Sequence, residues 1–231
     1  MKVRLISQTT GSGEFQGKTA EDIIVYAARV SSSREDKFAN PEGLLKYCMD
    51  NYHWSVFETS SMTFEIDTSI AVTRQLLRHR SFTFQEFSTR YSEVTGVEDI
   101  ELREQAVKNR QSSTDKIGAL FFDEHGSGYE IVPMYMHDHD DWMNRARRAV
   151  DTITNLYHEG IENGIAKECV RNILPLASST KLFMTGNIRS WITFFNIRCD
   201  EHTQKETREV ANAIKSIFKE NLPIISKALN Y

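Results

Sequence analysis

Apolar residues recur along this chain at two periods, and the switches between them predict its elements. In SMTFEIDT at 61–68, Met62, Phe64 and Ile66 alternate with polar positions, the pattern of a strand buried on one face. VRLIS at 3–7 and TKLFMTG at 180–186 predict two more strands. Elsewhere the spacing is three and four. Ile23, Ile24, Ala27, Ala28 and Val30 predict a helix over 19–31, opened by the capping-box-like pair Thr19 and Asp22. Asn40 and Pro41 open a second helix, whose buried face is Leu44, Leu45, Cys48 and Met49. Ile70, Ala71, Arg74 and Leu77 mark a third over about 68–77. The clearest helix covers about 140–159 through Trp142, Ala146, Ala149, Ile153 and Leu156, with Gly160 and Gly164 as stops. A short helix at 166–173 ends before Pro175. IRSWITFFNIR predicts a buried helix, and Val210, Ala213, Ile214 and Ile217 a last long one over about 203–221, ended by Pro223. Residues 97–131 are polar and interrupted by Gly and Ser, which predicts a peripheral excursion around a short helix. Strands and helices do not alternate regularly. That favours an α+β fold, a mixed or antiparallel sheet flanked by helices, over a doubly wound parallel sheet. With no internal repeat, 1–231 is expected to be a single domain carrying the excursion.

Composition narrows the function classes. The chain is 40% hydrophobic and 26% charged, the profile of an ordinary globular protein. No apolar run approaches the roughly 20 residues that span a bilayer, and the apolar run in MKVRLISQTT is too short for a signal peptide. The three cysteines, Cys48, Cys169 and Cys199, are odd in number and lack metal-ligand spacing, so a reducing, cytoplasmic setting is expected (host cytoplasm for a viral protein). A net charge of −4 argues against a general binder of nucleic acid or membranes.

Against that acidic background, RHRSFTFQEFSTR at 78–90 concentrates positive charge. Arg74, Arg78, Arg80, Arg90 and His79 face one carboxylate, Glu86. Cations at a helix C-terminus complement its dipole, which accounts for part of the pattern. The density of hydroxyls and amides points further, to an anion held by side chains: arginine pairs bidentately with phosphate, Ser88 and Thr89 add neutral donors, and Gln75 stands one turn before Arg78. Arg171, Arg189 and Arg198 form a second set, the last two within an apolar, aromatic stretch where a charge needs a partner or a ligand. His53 lies beside aromatics, where a structural role is as reasonable as a chemical one. MHDHDD at 136–141 fits a helix cap better than a metal site, and no metal is expected. GSGEFQG at 11–17 spaces its glycines wrongly for a dinucleotide loop and is taken as a turn. Cys199 beside Arg198 has the setting of a lowered-pKa thiol, but burial is the default for a small residue.

These residues resemble a known family. RHRSFTFQEFSTR looks like the signature R-H-R-x-x-S-x-x-x-x-S-x-R of the flavin-dependent thymidylate synthases, matching at Arg78, His79, Arg80, Ser88 and Arg90 and replacing the middle serine by Thr83. AARVSS at 27–32, HWSVFE at 53–58, RNILPL at 171–176, NIRS at 187–190 and NIRCDEH at 196–202 resemble family segments in the family's order; the excursion is not matched. The resemblance implies a thymidylate synthase-complementing-protein-like fold. It also implies methylation of dUMP to dTMP, with methylenetetrahydrofolate as carbon donor, FAD as hydride carrier and NADPH as reductant, in a homotetramer with shared sites. By this resemblance Gln75, Arg78, Glu86, Ser88, Thr89, Arg90 and Arg171 bind dUMP. Arg198 faces the uracil as the catalytic cation. Ser55, Arg78, His79, Arg80, Glu86, Asn187 and Arg189 contact FAD, and His53 lines the folate and redox side. Thr193 stands where some relatives have asparagine, and His202 is placed behind the site. The arginines would then be neutralised by ligands and not by protein carboxylates. Two rivals are a flavoprotein built on the Gly11–Gly17 loop and a single-stranded nucleic-acid module built on 78–90, the latter opposed by the net charge.

Overall fold

A computed structural model describes residues 1–33, 35–109, 111–122, 128–131 and 139–231. The fold is α+β. The chain divides into two compact units. One, the sheet unit, comprises Lys2–Ile66, Leu77–Gln85 and Phe183–Tyr231; the other, the long-helix unit, comprises Met1, Asp67–Leu76 and Glu86–Leu182.

Four strands, β1 (Lys2–Gln8), β2 (Ser61–Ser69), β3 (Thr83–Glu86) and β7 (Ser179–Asn187), pair in the order β1-β2-β7-β3, and the sheet unit holds β1 and the larger part of the other three. The alternation in β2 puts Met62, Phe64 and Ile66 in the core, and Met184 of β7 joins them. Helix α6 (Ile188–Arg198) is locked to these strands by its buried Trp191, whose indole N–H is shared between the Met62 carbonyl at 3.2 Å and the Gly186 carbonyl at 3.1 Å. Phe64, Phe194 and Phe195 pack around that indole, and Phe218 of α7 (Lys205–Asn221) closes on Phe195. The expected helices at the N-terminus are α1 (Ala20–Ala28), with its Thr19–Asp22 capping box intact, and α2 (Pro41–Asp50), capped by Asn40.

Pro223 ends α7 as expected and also begins a helix that the periodicity missed, α8 (Pro223–Ala228). Six residues are too few for a periodic signal. No side chain of its own caps α8. Instead Glu21 of α1, buried at 3% exposure, accepts the Ile225 N–H at 2.7 Å. Burial raises the Glu21 pKa, outweighing the lowering by the N–H groups of Ile225 and Ile224. A carboxyl with a raised folded pKa binds its proton more tightly in the folded state. Its contribution is therefore fully present below its ordinary value near 4.5 and is lost as pH rises through the folded value. Glu21→Ala should destabilise the protein by about 1–3 kcal/mol, because the Ile225 N–H is left buried without an acceptor. Glu21→Gln keeps the acceptor and removes the titration. The stability of the wild type minus that of Glu21→Gln should fall as pH rises above about 4.5 in denaturant titrations, and a flat difference would contradict the assignment.

The long-helix unit contains α3 (Ile70–Leu76), α4 (His139–Glu162) and α5 (Lys167–Val170). Its own sheet is antiparallel, β4-β5-β6: β4 (Ile100–Gln105), β5 (Ser113–Phe121) and β6 (Gly128–Ile131). This corrects the expected short helix in the excursion, since its described residues form strands. Among the described residues these strands bury little, with only Gly118, Ala119 and Leu120 of β5 covered and a register shift after Leu102, so their polar faces imitate a loop in composition. Helix α4 runs through Gly160, whose missing side chain admits Val170, and stops before Gly164 at φ +79. Tyr157, Val94 and Val170 form a core with Phe87, Ile161 and Leu174, and the Tyr157 hydroxyl accepts the Val94 N–H at 3.1 Å.

Candidate functional site

The cationic motif is shaped by where α3 ends. The chain leaves α3 at Leu76, turns through Arg78-His79-Arg80 and re-enters regular structure at Thr83. Phe82, at 7% exposure, anchors the turn in the sheet unit by packing on Trp191 with ring centroids 4.6 Å apart. Arg78 and Arg80 are exposed, and among the described residues neither has an ion-pair partner. His79 turns inward. Its ring meets Phe194 edge-on at 5.0 Å and Phe82 at 6.2 Å, and its Nε2 accepts a hydrogen bond from Arg198 Nε at 2.8 Å. Burial first and the Arg198 charge second lower the His79 pKa to about 4, so the imidazole is neutral at physiological pH. Burial also lowers the Arg198 pKa.

Other expected residues of this unit are fixed by local structure. Asn187 caps α6, its Oδ1 accepting the Ser190 N–H at 2.8 Å. Arg189 Nη1 pairs with Glu58 Oε1 at 2.6 Å. Thr193 donates its hydroxyl to the Arg189 carbonyl at 3.1 Å. Ser55 lies exposed in a short 3-10 helix at Trp54–Glu58, and His53, just before it, packs edge-on against Tyr47 at 5.8 Å. His202 is exposed and bonds Asp200 at 2.7 Å.

The second half of the motif gathers in the long-helix unit. Glu86 ends β3 and accepts the Thr73 hydroxyl of α3 at 3.0 Å; Gln75 lies half-buried in the same helix. A turn at 88–92, closed by the N–H groups of Tyr91 and Ser92 on the Ser88 carbonyl, presents Ser88, Thr89 and Arg90 together. Arg171 Nη1 donates to Thr89 Oγ1 at 3.3 Å, and Arg90 Nη2 pairs with Glu168 Oε2 at 2.8 Å. An open hollow of about 400 Å3 is lined by Ser88, Arg90, Tyr91, Ala166, Lys167 and Glu168.

Two findings depart from the sequence reading. Arg90 and Arg189 have carboxylate partners, Glu168 and Glu58, distant in sequence by 78 and 131 residues. The apparent excess of cations was therefore partly local to the sequence and not to the structure. Lys167 and Glu168 belong beside the arginine cluster but carried no motif that could have revealed them. Of the MHDHDD stretch, His137 lies outside the described residues. Among the described residues no three His, Cys, Asp or Glu side chains stand together as a metal site, and no helix is long and apolar enough to cross a membrane.

The family described as thymidylate synthase complementing protein matches residues 5–224. The chain belongs to that family. It is 44% identical, over the whole of both chains, to a flavin-dependent thymidylate synthase of Synechocystis sp.. It is 42% identical, again over both full lengths, to a probable flavin-dependent thymidylate synthase of Paramecium bursaria Chlorella virus 1. A solved UMP/dUMP methylase of Streptomyces cacaoi, bound with 5-Br dUMP, superposes with a TM-score of 0.75 at 26% identity, covering 99% of this chain and 94% of that one. The chain is thus an enzyme of the methyltransferase class, and its fold is that of the family.

Proposed function

We propose that this enzyme methylates uracil C5 of dUMP to give dTMP, with methylenetetrahydrofolate as carbon donor, bound FAD and NADPH as reductant. The observation that carries the reading is one hollow lined by Ser88 and Arg90, with Thr89 in the same turn and Arg171 bonded to Thr89, a donor set for a phosphate monoester, in a chain whose structural relative holds a bromo-dUMP. Gln75, Glu86 and Arg78 complete the nucleotide contacts, and Arg90 exchanges Glu168 for the phosphate. Arg198 faces the N3–O2 edge of the uracil. A cation there stabilises negative charge on the ring and so raises electron density at C5.

The residues also fit the flavin nucleotide. Arg78 and Arg80 are exposed guanidiniums with no ion-pair partner among the described residues, a donor set suited to a pyrophosphate. Ser55, His79, Glu86, Asn187 and Arg189 complete the proposed contacts, with Arg189 exchanging Glu58 for the cofactor and His53 on the folate side. The donated carbon arrives at the oxidation level of formaldehyde and leaves as a methyl group, so two electrons are needed. When bound, FAD supplies them as a hydride after reduction by NADPH.

No protein nucleophile is required. Burial raises the pKa of both Cys48 and Cys199, the opposite of an activated thiol. Ser88 Oγ has no hydrogen-bonded base among the described residues, so it serves as a phosphate donor. Ser88→Ala should raise KM for dUMP about 10-fold with kcat changed less than about threefold. Abolished turnover at unchanged dUMP affinity would make Ser88 a nucleophile instead. We also assign a homotetramer with shared sites, for which light scattering should give about four times 26.6 kDa.

The deciding experiment is the visible spectrum of the purified protein under anaerobic conditions. An oxidised-flavin spectrum that bleaches with NADPH, followed by dTMP formation on adding dUMP and methylenetetrahydrofolate, is expected. A colourless protein that takes up no added FAD would refute the proposal.

A further inference from the structure

We propose that His79 is the positioning residue of Arg198: as a neutral imidazole protonated on Nδ1, it accepts the Arg198 Nε–H and fixes the plane of the guanidinium. The inference rests on the function proposed above for Arg198 and deepens it.

The geometry starts from helix spacing. Phe194 and Arg198 are four residues apart on α6, so both side chains lie on one face. His79 meets both: its ring packs edge-on against Phe194 at 5.0 Å, and its Nε2 takes the Arg198 Nε–H at 2.8 Å. Phe82 holds the ring from a second direction, at 6.2 Å and nearly perpendicular. The imidazole is therefore oriented by two phenyl rings before it meets the guanidinium. A guanidinium is planar and has no acceptor, so a nitrogen facing Nε must be a bare lone pair. That places the proton of the neutral ring on Nδ1. Burial and the Arg198 charge both disfavour the imidazolium, which would face Arg198 with a second positive charge and no acceptor.

The consequence for function is directional. Fixing Nε fixes the plane in which both Nη groups lie, and a planar cation matters to a planar uracil edge only in the correct plane. His79 thus acts through Arg198, and any contact it makes with FAD falls to its Nδ1 side or its carbon edge.

Two measurements on the full enzyme test the pair. Histidine-selective 15N NMR of the flavin-loaded protein should show His79 as the Nδ1–H tautomer, still neutral at pH 5.5, and Arg198→Met should raise its pKa toward the ordinary histidine value. An Nε2–H tautomer, or titration near pH 6.5 in the wild type, would overturn the pairing. This arm needs no turnover, so it decides the pair even if the wild type fails to methylate dUMP, the result that would instead defeat the proposed function. In kinetics, His79→Leu should lower kcat about 30-fold with KM for dUMP changed less than about threefold. His79→Gln, whose Oε1 can stand near the position of Nε2, should recover most of the loss. In an Arg198→Ala background, His79→Leu should add less than about twofold, because its effect is exerted through the missing arginine. Equal losses in both backgrounds, or no recovery by glutamine, would assign His79 a role independent of Arg198.

Discussion

Arg198→Ala is expected to lower the turnover of dUMP by about 10²–10³-fold while the protein still binds flavin. The magnitude follows from where the charge sits. Arg198 is the last residue of α6 and half-buried, so its field is less screened than that of the exposed Arg78 and Arg80. Burial lowers its pKa, but the guanidinium stays charged at physiological pH. If the uracil ring carries negative charge along the reaction, a fixed cation at its edge stabilises that state more than the ground state, and removal lowers kcat rather than raising KM. Arg198→Lys separates charge from geometry. Lysine keeps the charge but lacks the planar fork and the Nε–H that His79 accepts, so it should recover less than about a tenth of the lost rate. Rapid-quench measurement of dTMP formation, with flavin content read from the visible spectrum, checks both variants. Turnover retained in the alanine variant would remove Arg198 from the chemistry.

How far the sequence carried this reading depends on the range of each interaction. Elements with a long apolar period, such as α4 and α7, or a clear capping signal, such as Thr19 with Asp22, were legible because their determinants lie within a few residues. Helix α8 was not, because its cap is Glu21, more than 200 residues away. The strands within 97–131 are not legible, because strands exposed on one face have the composition of a loop. In the arginine-rich motif, residue types are written in the sequence and partnerships are not. The motif placed Arg90 beside Ser88 and Thr89, but its pairing with Glu168 depends on the fold. His79 was readable as a family histidine. That it faces Arg198 through Nε2 follows only when residue 79 and helix α6 are seen together. Asn187, a proposed cofactor contact, also caps α6, which fixes the first turn of the helix that carries Arg189 and Arg198.

Gly186→Ala should destabilise the fold by about 1–3 kcal/mol, and for reasons of space alone. Gly186 lies within β7 and has no positive φ, so its backbone conformation is open to any residue. In the unfolded chain alanine would even help, by about 0.4–1 kcal/mol of reduced entropy. What forbids the methyl group is Phe82: an added Cβ would stand 2.4 Å from its Cε1 and 2.5 Å from its Cδ1. The ring has little room to retreat, since Trp191 packs on it at 4.6 Å and Phe194 and Phe84 lie at 5.9 and 6.3 Å. The clash therefore passes through Phe82 to His79, which packs on the same ring. Two effects are expected together: a Tm lowered on the scale of about 2–4 °C per kcal/mol, and a kcat loss in the direction of His79→Leu. Phe82→Leu in the Gly186→Ala background returns volume where the methyl group needs it, so the double variant should be more stable than the sum of the two single losses. Strict additivity in denaturant titrations would mean that the methyl group is accommodated elsewhere, and that the anchor of the arginine-rich turn is not this glycine–phenylalanine contact.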